Sequence, residues 1–359
     1  MNNSKGKETN EIKGVGVSKR FFLIAPPHMD LYKDIVGDLG NRGFSVEFLA
    51  VKVFPHDPFF ISNRYSWLYN KKRFLRKLEL YWDGLYKSGK YSFEYDYLFV
   101  INGTVVHPKL FYYLKKHNPS IECINYLFDS TQNVYHFDRN FKYFDRIYTF
   151  DRKDAEKFGI NFLPIYWTKD NITTDKTIKM FGFGVFNRTR YNIYSSIINR
   201  SKEIDSNSYI KLYTPEICNI KWFKFKNRIK RLFHLPIDIT YEEYSSSLIT
   251  HKTLSPQEFR NYIYNSSIVV DTSNSKQDGL TARFMWALGA GKKIITNNTS
   301  ILEYPFYSKD QFFLIGDDFS ELKSFINTPF IPSPEYKHLV EQWRLDKWLS
   351  TLFNLAKIN

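Results

Sequence analysis

The residues best suited to chemistry lie in one segment, Asp271 to Thr296. An apolar strand ends at Asp271, a polar loop follows, and Gly279-Leu280-Thr281 opens a helix that carries Arg283 in its first turn. Thr281 can cap this helix by accepting from backbone N–H groups, and the remaining N–H groups attract anions. Arg283 adds a guanidinium whose geometry matches phosphate oxygens. The segment therefore predicts a site for a phosphorylated ligand.

The same helix carries small residues that indicate close packing. Ala287, Gly289 and Ala290 allow neighbouring elements to approach, and Gly291 ends the helix before the apolar strand that closes the segment. On shape alone, an ordinary strand–helix–strand unit that binds nothing is an equally good interpretation.

A second glycine-containing loop, Met180 to Tyr191, also follows a strand and precedes a helix. Gly184 permits a ligand to approach the backbone closely, and Arg188 and Arg190 suit phosphate oxygens. We expect these three residues to join the anion site. The alternative is a solvated basic loop ahead of a helix, because glycines alone are a weak indication.

A carboxylate follows another apolar strand, which ends at Phe128. Asp129 lies at the carboxyl end of that strand, where α/β enzymes hold their reactive groups. It can act as a general base on an acceptor hydroxyl or can position that hydroxyl. Asp151 and Asp154 are interpreted as helix caps. His28 is the weaker catalytic candidate, because a lone histidine in a loop is usually structural or solvated.

A basic segment, Lys221 to Phe233, has the pattern of an amphipathic helix. The apolar stripe and the cations beside it include Trp222, Phe225 and Ile229 together with Lys224 and Arg228. Such a stripe suits the anionic inner face of a bacterial membrane, where a lipid-linked acceptor resides. The alternative is a surface helix whose apolar stripe packs on the core.

A regular alternation of apolar strands and helices positions all of these segments. It predicts parallel, doubly wound α/β sheets. The pattern pauses over a polar stretch near residues 168–176 and then restarts, which predicts two domains with a ligand cleft between them. We expect a disordered lead-in at 1–18, an N-terminal domain at 19–167, a C-terminal domain at 175–330 and further helices at 335–357.

The composition indicates a globular protein with an anionic partner. The chain has 359 residues, of which 25% are charged and 43% hydrophobic, and its net charge is +14. Two cysteines, Cys123 and Cys218, are too few for a disulfide framework, so we expect buried thiols. The polar N-terminal stretch and the lack of a long apolar run predict a cytoplasmic protein that can also lie peripherally on the inner membrane.

The segment ending at Thr296 resembles the donor-binding half of GT-B-fold glycosyltransferases, specifically the CgeB-like group of bacterial capsule and lipopolysaccharide transferases. The matching positions are Gln277, Gly279, Leu280, Thr281, Arg283 and the run Ala287 to Lys293. This resemblance implies two Rossmann-like domains that face a cleft, with C-terminal helices that cross back. It also implies that the first domain binds the acceptor and the second binds a nucleotide-sugar donor.

The implied reaction moves a hexosyl or related sugar from that donor to a glycan or lipid-linked acceptor in the synthesis of bacterial surface polysaccharide. The expected donor contacts are Gly184, Arg188, Arg190, Asp271, Gln277, Gly279, Leu280, Thr281 and Arg283. The Asp-x-Asp metal motif of the other main glycosyltransferase fold is absent from the sequence, so we expect neither a metal nor another cofactor.

One position departs from the resemblance. Retaining GT-B enzymes often carry a ribose-binding Glu where this chain has Trp286, and an indole cannot accept hydrogen bonds from ribose hydroxyls. A catalytically silent homologue therefore stays open, as does a GT-B enzyme that epimerises nucleotide sugars. The net charge prompts a third alternative, a nucleic-acid-binding protein. Because no recognisable nucleic-acid-reading module is present, we expect no nucleic-acid partner.

Overall fold

The computed structural model describes residues 18–27, 30–51, 64–132, 138–169, 178–200, 207–273, 278–316 and 319–355, with the backbone alone at 64–70. The predicted lead-in at 1–17 and the candidate site residues His28 and Gln277 lie outside these ranges. So does most of the predicted domain boundary at 168–176, namely residues 170–176.

The first half of the chain forms one parallel sheet. Its strands are β1 (Arg20–Ala25), β2 (Ser45–Ala50), β3 (Tyr97–Ile101), β4 (Glu122–Leu127), β5 (Arg146–Thr149) and β6 (Asn161–Phe162). They are ordered β2-β1-β3-β4-β5-β6. A parallel sheet is covered on both faces, which is why β3 and residues Phe21–Ala25 of β1 are continuous apolar runs.

The second half forms another parallel sheet of the same size. Its strands are β7 (Ile178–Val185), β8 (Ser208–Tyr213), β9 (Ile249–Thr250), β10 (Ser266–Asp271), β11 (Lys293–Thr296) and β12 (Phe312–Leu314). Their order is β12-β11-β10-β7-β8-β9. The two sheets confirm the predicted α/β class with two parallel-sheet domains.

Helices connect the strands and cover both sheets. They are α1 (Leu31–Asn41), α2 (Arg64–Lys87), α3 (Pro108–His117), α4 (Arg152–Phe158), α5 (Arg188–Arg200), α6 (Ile220–Leu232), α7 (Tyr241–Tyr244), α8 (Pro256–Asn265), α9 (Ala282–Gly289), α10 (Leu322–Asn327), α11 (Pro334–Glu341) and α12 (Leu345–Phe353). Short 3-10 helices lie at Asp138–Tyr143 and Thr299–Glu303. Within the described ranges, no helix combines the length and the apolar character needed to cross a bilayer.

The two sheets share one hydrophobic core. On β1, Phe21 faces this shared core, whereas Phe22 faces a separate core under α2 and α3. On β10, Val269 faces the shared core and Ile268 faces a third core on the far side of the second sheet. Because the inner faces of both sheets bury one continuous apolar cluster, independent motion of the two domains is restricted.

The last two helices cross back from the second domain to the first, as predicted. On α11, the hydroxyl of Tyr336 donates to the carbonyl of Leu288 in α9 at 2.7 Å. On α12, the Trp348 indole donates to the carbonyl of Pro164 at 3.0 Å, and Phe353 packs against Phe21 of the first sheet.

Trp167 lies where the chain passes from one domain to the other. Its ring covers Gly289 so closely that a Cβ there would overlap the indole. The indole N–H donates to the carbonyl of Val340 at 3.0 Å, and the backbone exchanges hydrogen bonds with Trp343 and Leu345. Gly289 is therefore required by this contact between the linker, α9 and the C-terminal helices.

The expectation of two buried thiols is wrong for one cysteine. Cys123 is buried on β4, where burial raises the pKa of its thiol to about 12. Cys218 is exposed, because it precedes α6 in the surface segment between β8 and β9.

We expect Gly289→Ala to lower the free energy of unfolding. The added methyl group overlaps the indole of Trp167, and overpacking of this kind costs about 1–3 kcal/mol. Chemical denaturation measures the change. The matched control is Gly84→Ala in α2, where a Cβ meets no atom and helix propensity should add about 0.5–1 kcal/mol. Equal stability of the Gly289 variant and the wild type would rule out the close contact.

Candidate functional site

A cavity of about 340 Å³ lies between the first sheet and the start of α9. It is lined by Pro26, Leu31, Tyr32, Ile101, Asn102, Phe128, Asp129, Ile165, Thr281 and Ala282. The wall from the first sheet includes the ends of β1 and β3, two adjacent strands at which the chain order reverses. Open α/β sheets bind ligands at such switch points, and the volume is that of a small-molecule site.

Asp129 is held in this cavity by a hydrogen-bonded loop. Before it, the backbone N–H of Phe128 donates to Asn102 Oδ1 at 2.7 Å. After it, the backbone N–H and the hydroxyl of Thr131 both donate to the carboxylate of Asp154. The interpretation of Asp154 as a helix cap is therefore wrong. Its side chain instead fixes the loop that carries Asp129.

Asp129 itself is partly buried among apolar neighbours. Burial raises the pKa of its carboxyl to about 6. A carboxyl with this pKa is charged at neutral pH yet retains more basicity than a surface aspartate. The group is thus suited to accept a proton from a hydroxyl that enters the cavity.

The opposite wall of the cavity is the N-terminus of α9. Thr281 caps the helix by accepting from the backbone N–H of Phe284, as predicted, and its hydroxyl donates to Asp271 Oδ1 at 2.7 Å. Within the described ranges, no residue accepts a hydrogen bond from the backbone N–H of Ala282 or Arg283. These N–H groups lie beside the cavity and can hold an anion.

Arg283 does not extend freely from the helix. Its Nε donates to Asp271 Oδ1 at 3.0 Å, and its Nη1 donates to the carbonyl of Phe183. This buried ion pair joins the carboxyl ends of β7 and β10, the switch point of the second sheet. The predicted donor contact of Arg283 remains a prediction, and in the structure the guanidinium holds the strands together.

Arg190 lies beside this pair and binds only neutral groups among the described residues. Its Nε donates to Thr272 Oγ1 at 2.6 Å, and its Nη1 donates to the carbonyl of Val185. The guanidinium occupies the space that a side chain at Gly184 would need. Asp271 pairs with Arg283 and with no other described cation, so the two arginines at the carboxyl ends of β7 and β10 leave one positive charge there without a paired carboxylate among the described residues. Burial, and then the charge of Arg283, lower the pKa of Arg190.

Arg188 points to a different part of the second domain. Its guanidinium pairs with Glu243 and donates to the carbonyl of Ile237 at 2.9 Å. It therefore attaches the start of α5 to the segment that follows α6. Its predicted role in donor binding is not tested by these contacts.

Gly279 and Leu280 serve the domain interface. The backbone N–H groups of Asp278 and Gly279 donate to Asp151 Oδ2 at 3.0 and 3.4 Å, and a Cβ at Gly279 would overlap the ring of Phe150. Leu280 is buried in the shared core. Asp151 also caps α4, as predicted, but nothing in the local sequence indicates its contact with the second domain.

Trp286 presents no surface to a ligand. It is fully buried in the shared core, and Arg260 lies over its ring at 5.7 Å. Arg260 in turn pairs with Asp34 of α1, with Nη1 at 2.8 Å from Oδ2. Trp286 therefore supports an ion pair between the two domains, and a ribose contact cannot come from this position.

The predicted membrane face is exposed. Trp222, Phe225 and Ile229 of α6 are 61%, 50% and 38% exposed, so the alternative in which the stripe packs on the core is wrong. Lys224 lies over the ring of Tyr241 at 3.6 Å, and Arg228 is exposed.

Comparisons with known proteins show the fold. No family model and no curated protein matches the sequence. The structure is similar to an α,α-trehalose 6-phosphate synthase from Burkholderia multivorans, with a TM-score of 0.55, 9% identity, and coverage of 93% of this chain and 97% of that one. A UDP-forming α,α-trehalose-phosphate synthase from Burkholderia xenovorans gives 0.53 and 10%, covering 94% and 98%.

The N-terminal domain of a trehalose-6-phosphate phosphatase from Candida albicans gives a TM-score of 0.51 and 10% identity, covering 97% of each chain. These similarities extend over both sheets. The chain therefore has the GT-B fold, with two Rossmann-like domains that face a cleft, as the sequence resemblance implied.

We expect Asp129→Asn to raise the free energy of unfolding at neutral pH. Because the folded-state pKa of Asp129 is raised to about 6, wild-type stability is lost as pH rises from about 4 through 6. The asparagine variant lacks this loss, so its advantage should grow to on the order of 1–3 kcal/mol by neutral pH. Urea denaturation across this pH range measures the difference.

The matched control is Asp346→Asn, which should behave with the opposite sign. A hydrogen bond from Arg344 lowers the pKa of Asp346, so that variant should lose stability above the unfolded-state pKa. An Asp129 variant whose stability relative to wild type did not change with pH would contradict the raised pKa.

Proposed function

We propose that the protein is a glycosyltransferase that moves a sugar from a nucleotide-sugar donor to an acceptor hydroxyl. The observation that carries this proposal is the cavity in which Asp129 faces the N-terminus of α9. Transfer from a sugar diphosphate requires a base near the acceptor and an anion site near the leaving group. The two walls of the cavity supply these two features.

In the proposed reaction Asp129 accepts the proton of the acceptor hydroxyl. The hydroxyl oxygen forms a bond to the anomeric carbon of the sugar, and the bond from that carbon to the diphosphate oxygen breaks. Negative charge then develops on the leaving diphosphate. The backbone N–H groups of Ala282 and Arg283, and the net positive charge that Arg190 leaves at the switch point, are the groups that offset it.

The finer assignment rests on the sequence resemblance. Residues 277–293 resemble the donor-binding segment of bacterial capsule and lipopolysaccharide transferases, and on that resemblance the proposed acceptor is a glycan or a lipid-linked glycan. The proposed transfer is of a hexosyl or related sugar, without a metal and on the cytoplasmic side of the membrane. A nucleoside diphosphate sugar as donor agrees with the similar structure from Burkholderia xenovorans, which is a UDP-forming synthase.

We expect Arg190→Gln to weaken nucleotide-sugar binding roughly 10- to 100-fold, because a hydrogen bond between charged groups contributes about 1.5–3 kcal/mol. A thermal-shift screen with UDP, GDP, CMP and dTDP sugars identifies the donor, and calorimetry then measures the affinity. Arg188→Gln is the matched control and should change the affinity little, because Arg188 is already paired with Glu243. No response to any of these donors, or equal losses in both variants, would contradict the proposed site.

We expect kcat/KM to fall as pH is lowered through about 6, because protonation of Asp129 removes the base.

Asp129→Asn should lower kcat roughly 100- to 10,000-fold and leave donor affinity nearly unchanged. Steady-state assays measure kcat and KM, and single-turnover assays at varied donor concentration measure the donor affinity. Product analysis accompanies both assays. A new nucleotide sugar formed without an acceptor would instead identify an epimerase. Full activity in the variant would exclude Asp129 as the base.

A further inference from the structure

Helix α6 carries an apolar face that no part of the described chain covers. Seven of the twelve exposed large apolar side chains in the described ranges lie between residues 220 and 235. On the helix itself the most exposed are Trp222, Phe225 and Leu232, at 61%, 50% and 74%. With Ile229, they recur at intervals of three and four residues, so they form one stripe along the helix.

The other face of α6 fixes the direction in which this stripe points. Phe223 packs against Tyr244 of α7, with ring centroids 5.8 Å apart. The Asn227 amide donates to the carbonyl of Ile239 at 3.0 Å. Because these contacts hold the inner face against the protein, the stripe is directed outward.

Cations flank the stripe on both sides. The helix carries six lysines and arginines and no acidic residue. Lys230 and Arg231 pair with Asp238 and Glu242. Lys221, Lys226 and Arg228 are exposed beside the stripe, and the described ion pairs include none of them. These three charges are therefore available to an external anionic surface.

We propose that α6 docks on an anionic lipid bilayer, with Trp222, Phe225, Ile229 and Leu232 entering the headgroup region and the flanking cations contacting lipid phosphates. An apolar stripe between cations is the arrangement that an interfacial helix uses. A second copy of the chain fits this face poorly, because a symmetric contact would place two basic helices together. Nucleic acid also fits poorly, because the aliphatic side chains Ile229 and Leu232 do not stack on bases.

The position of α6 orients the docked protein. The helix follows β8, whose last residue, Tyr213, pairs with Val185 at the carboxyl end of β7. Asp271 lies at the same carboxyl end of the second sheet, where it accepts a hydrogen bond from Thr281 beside the cavity. A bilayer bound to α6 therefore lies toward the end of the sheet that adjoins α9 and the cavity. This orientation would present a lipid-linked acceptor to the cavity, a consequence that rests on the proposed function; the docking itself does not.

Flotation of the full chain with vesicles tests the docking without any sugar substrate. We compare phosphatidylcholine vesicles with vesicles that also contain phosphatidylglycerol. The wild type should float with the vesicles that contain phosphatidylglycerol and should not float with the pure phosphatidylcholine vesicles. A triple variant of the stripe, Trp222→Ser, Phe225→Ser and Ile229→Ser, should lose roughly tenfold or more in vesicle affinity. A triple variant of the flank, Lys221→Gln, Lys226→Gln and Arg228→Gln, should lose roughly a hundredfold.

Matched controls remove equally exposed groups elsewhere. Ile331→Ser and Leu80→Ser remove exposed apolar side chains, and Lys115→Gln, Lys116→Gln and Lys337→Gln remove three exposed cations. Both control variants should float like the wild type. All substitutions are on exposed side chains, so unchanged thermal unfolding confirms that each variant is folded.

Several outcomes overturn the proposal. Absence of flotation with anionic vesicles does so directly, as do equal losses in the α6 variants and their controls. Light scattering that shows a dimer in the wild type and a monomer in the stripe variant would assign the face to a second copy. A protein that floats as expected but binds no nucleotide sugar would leave the docking intact and remove only the proposed glycosyl transfer.

Discussion

Two glycines, one shortly before α9 and one at its last residue, determine how closely the domains approach each other. At Gly279 the ring and carbonyl of Phe150 leave no room for a Cβ, and at Gly289 the indole of Trp167 does the same. The shared core and the cavity beside Asp129 depend on this separation, because both are built from residues of the two domains. The glycines in the segment that first indicated a phosphate site thus act as spacers between domains, and this is independent of any ligand.

Much of the fold could be predicted from the sequence, because it depends on local patterns. Apolar runs such as Phe21–Ala25 mark parallel strands, and Thr281 is recognisable as a helix cap. The cross-domain contacts could not be predicted, because they join residues far apart in the chain. The carboxylate of Asp151 accepts hydrogen bonds from Asp278 and Gly279, more than a hundred residues away, and nothing in the local sequence distinguishes this from simple capping.

The arginines show why residue type alone does not define a binding site. All three that the sequence placed at a diphosphate are engaged within the protein, but with different electrostatic results. Arg283 and Arg188 are paired with Asp271 and Glu243, so each is largely neutralised. Arg190 donates to carbonyl and hydroxyl oxygens, which satisfy its hydrogen-bond donors but do not neutralise its positive charge. The partners that the fold supplies therefore decide whether a guanidinium is paired with a carboxylate or keeps its charge.

The hydrogen bonds to Asp151 have a consequence for ligand entry. The N–H groups of Asp278 and Gly279 point toward an anion, and the anion present is a side chain of the opposite domain. A carboxylate tethered in this way competes with a free anion for the same donors, because its effective concentration is high. A ligand on these two N–H groups and the contact of the same groups with Asp151 therefore exclude each other. Each of the two interactions weakens the other.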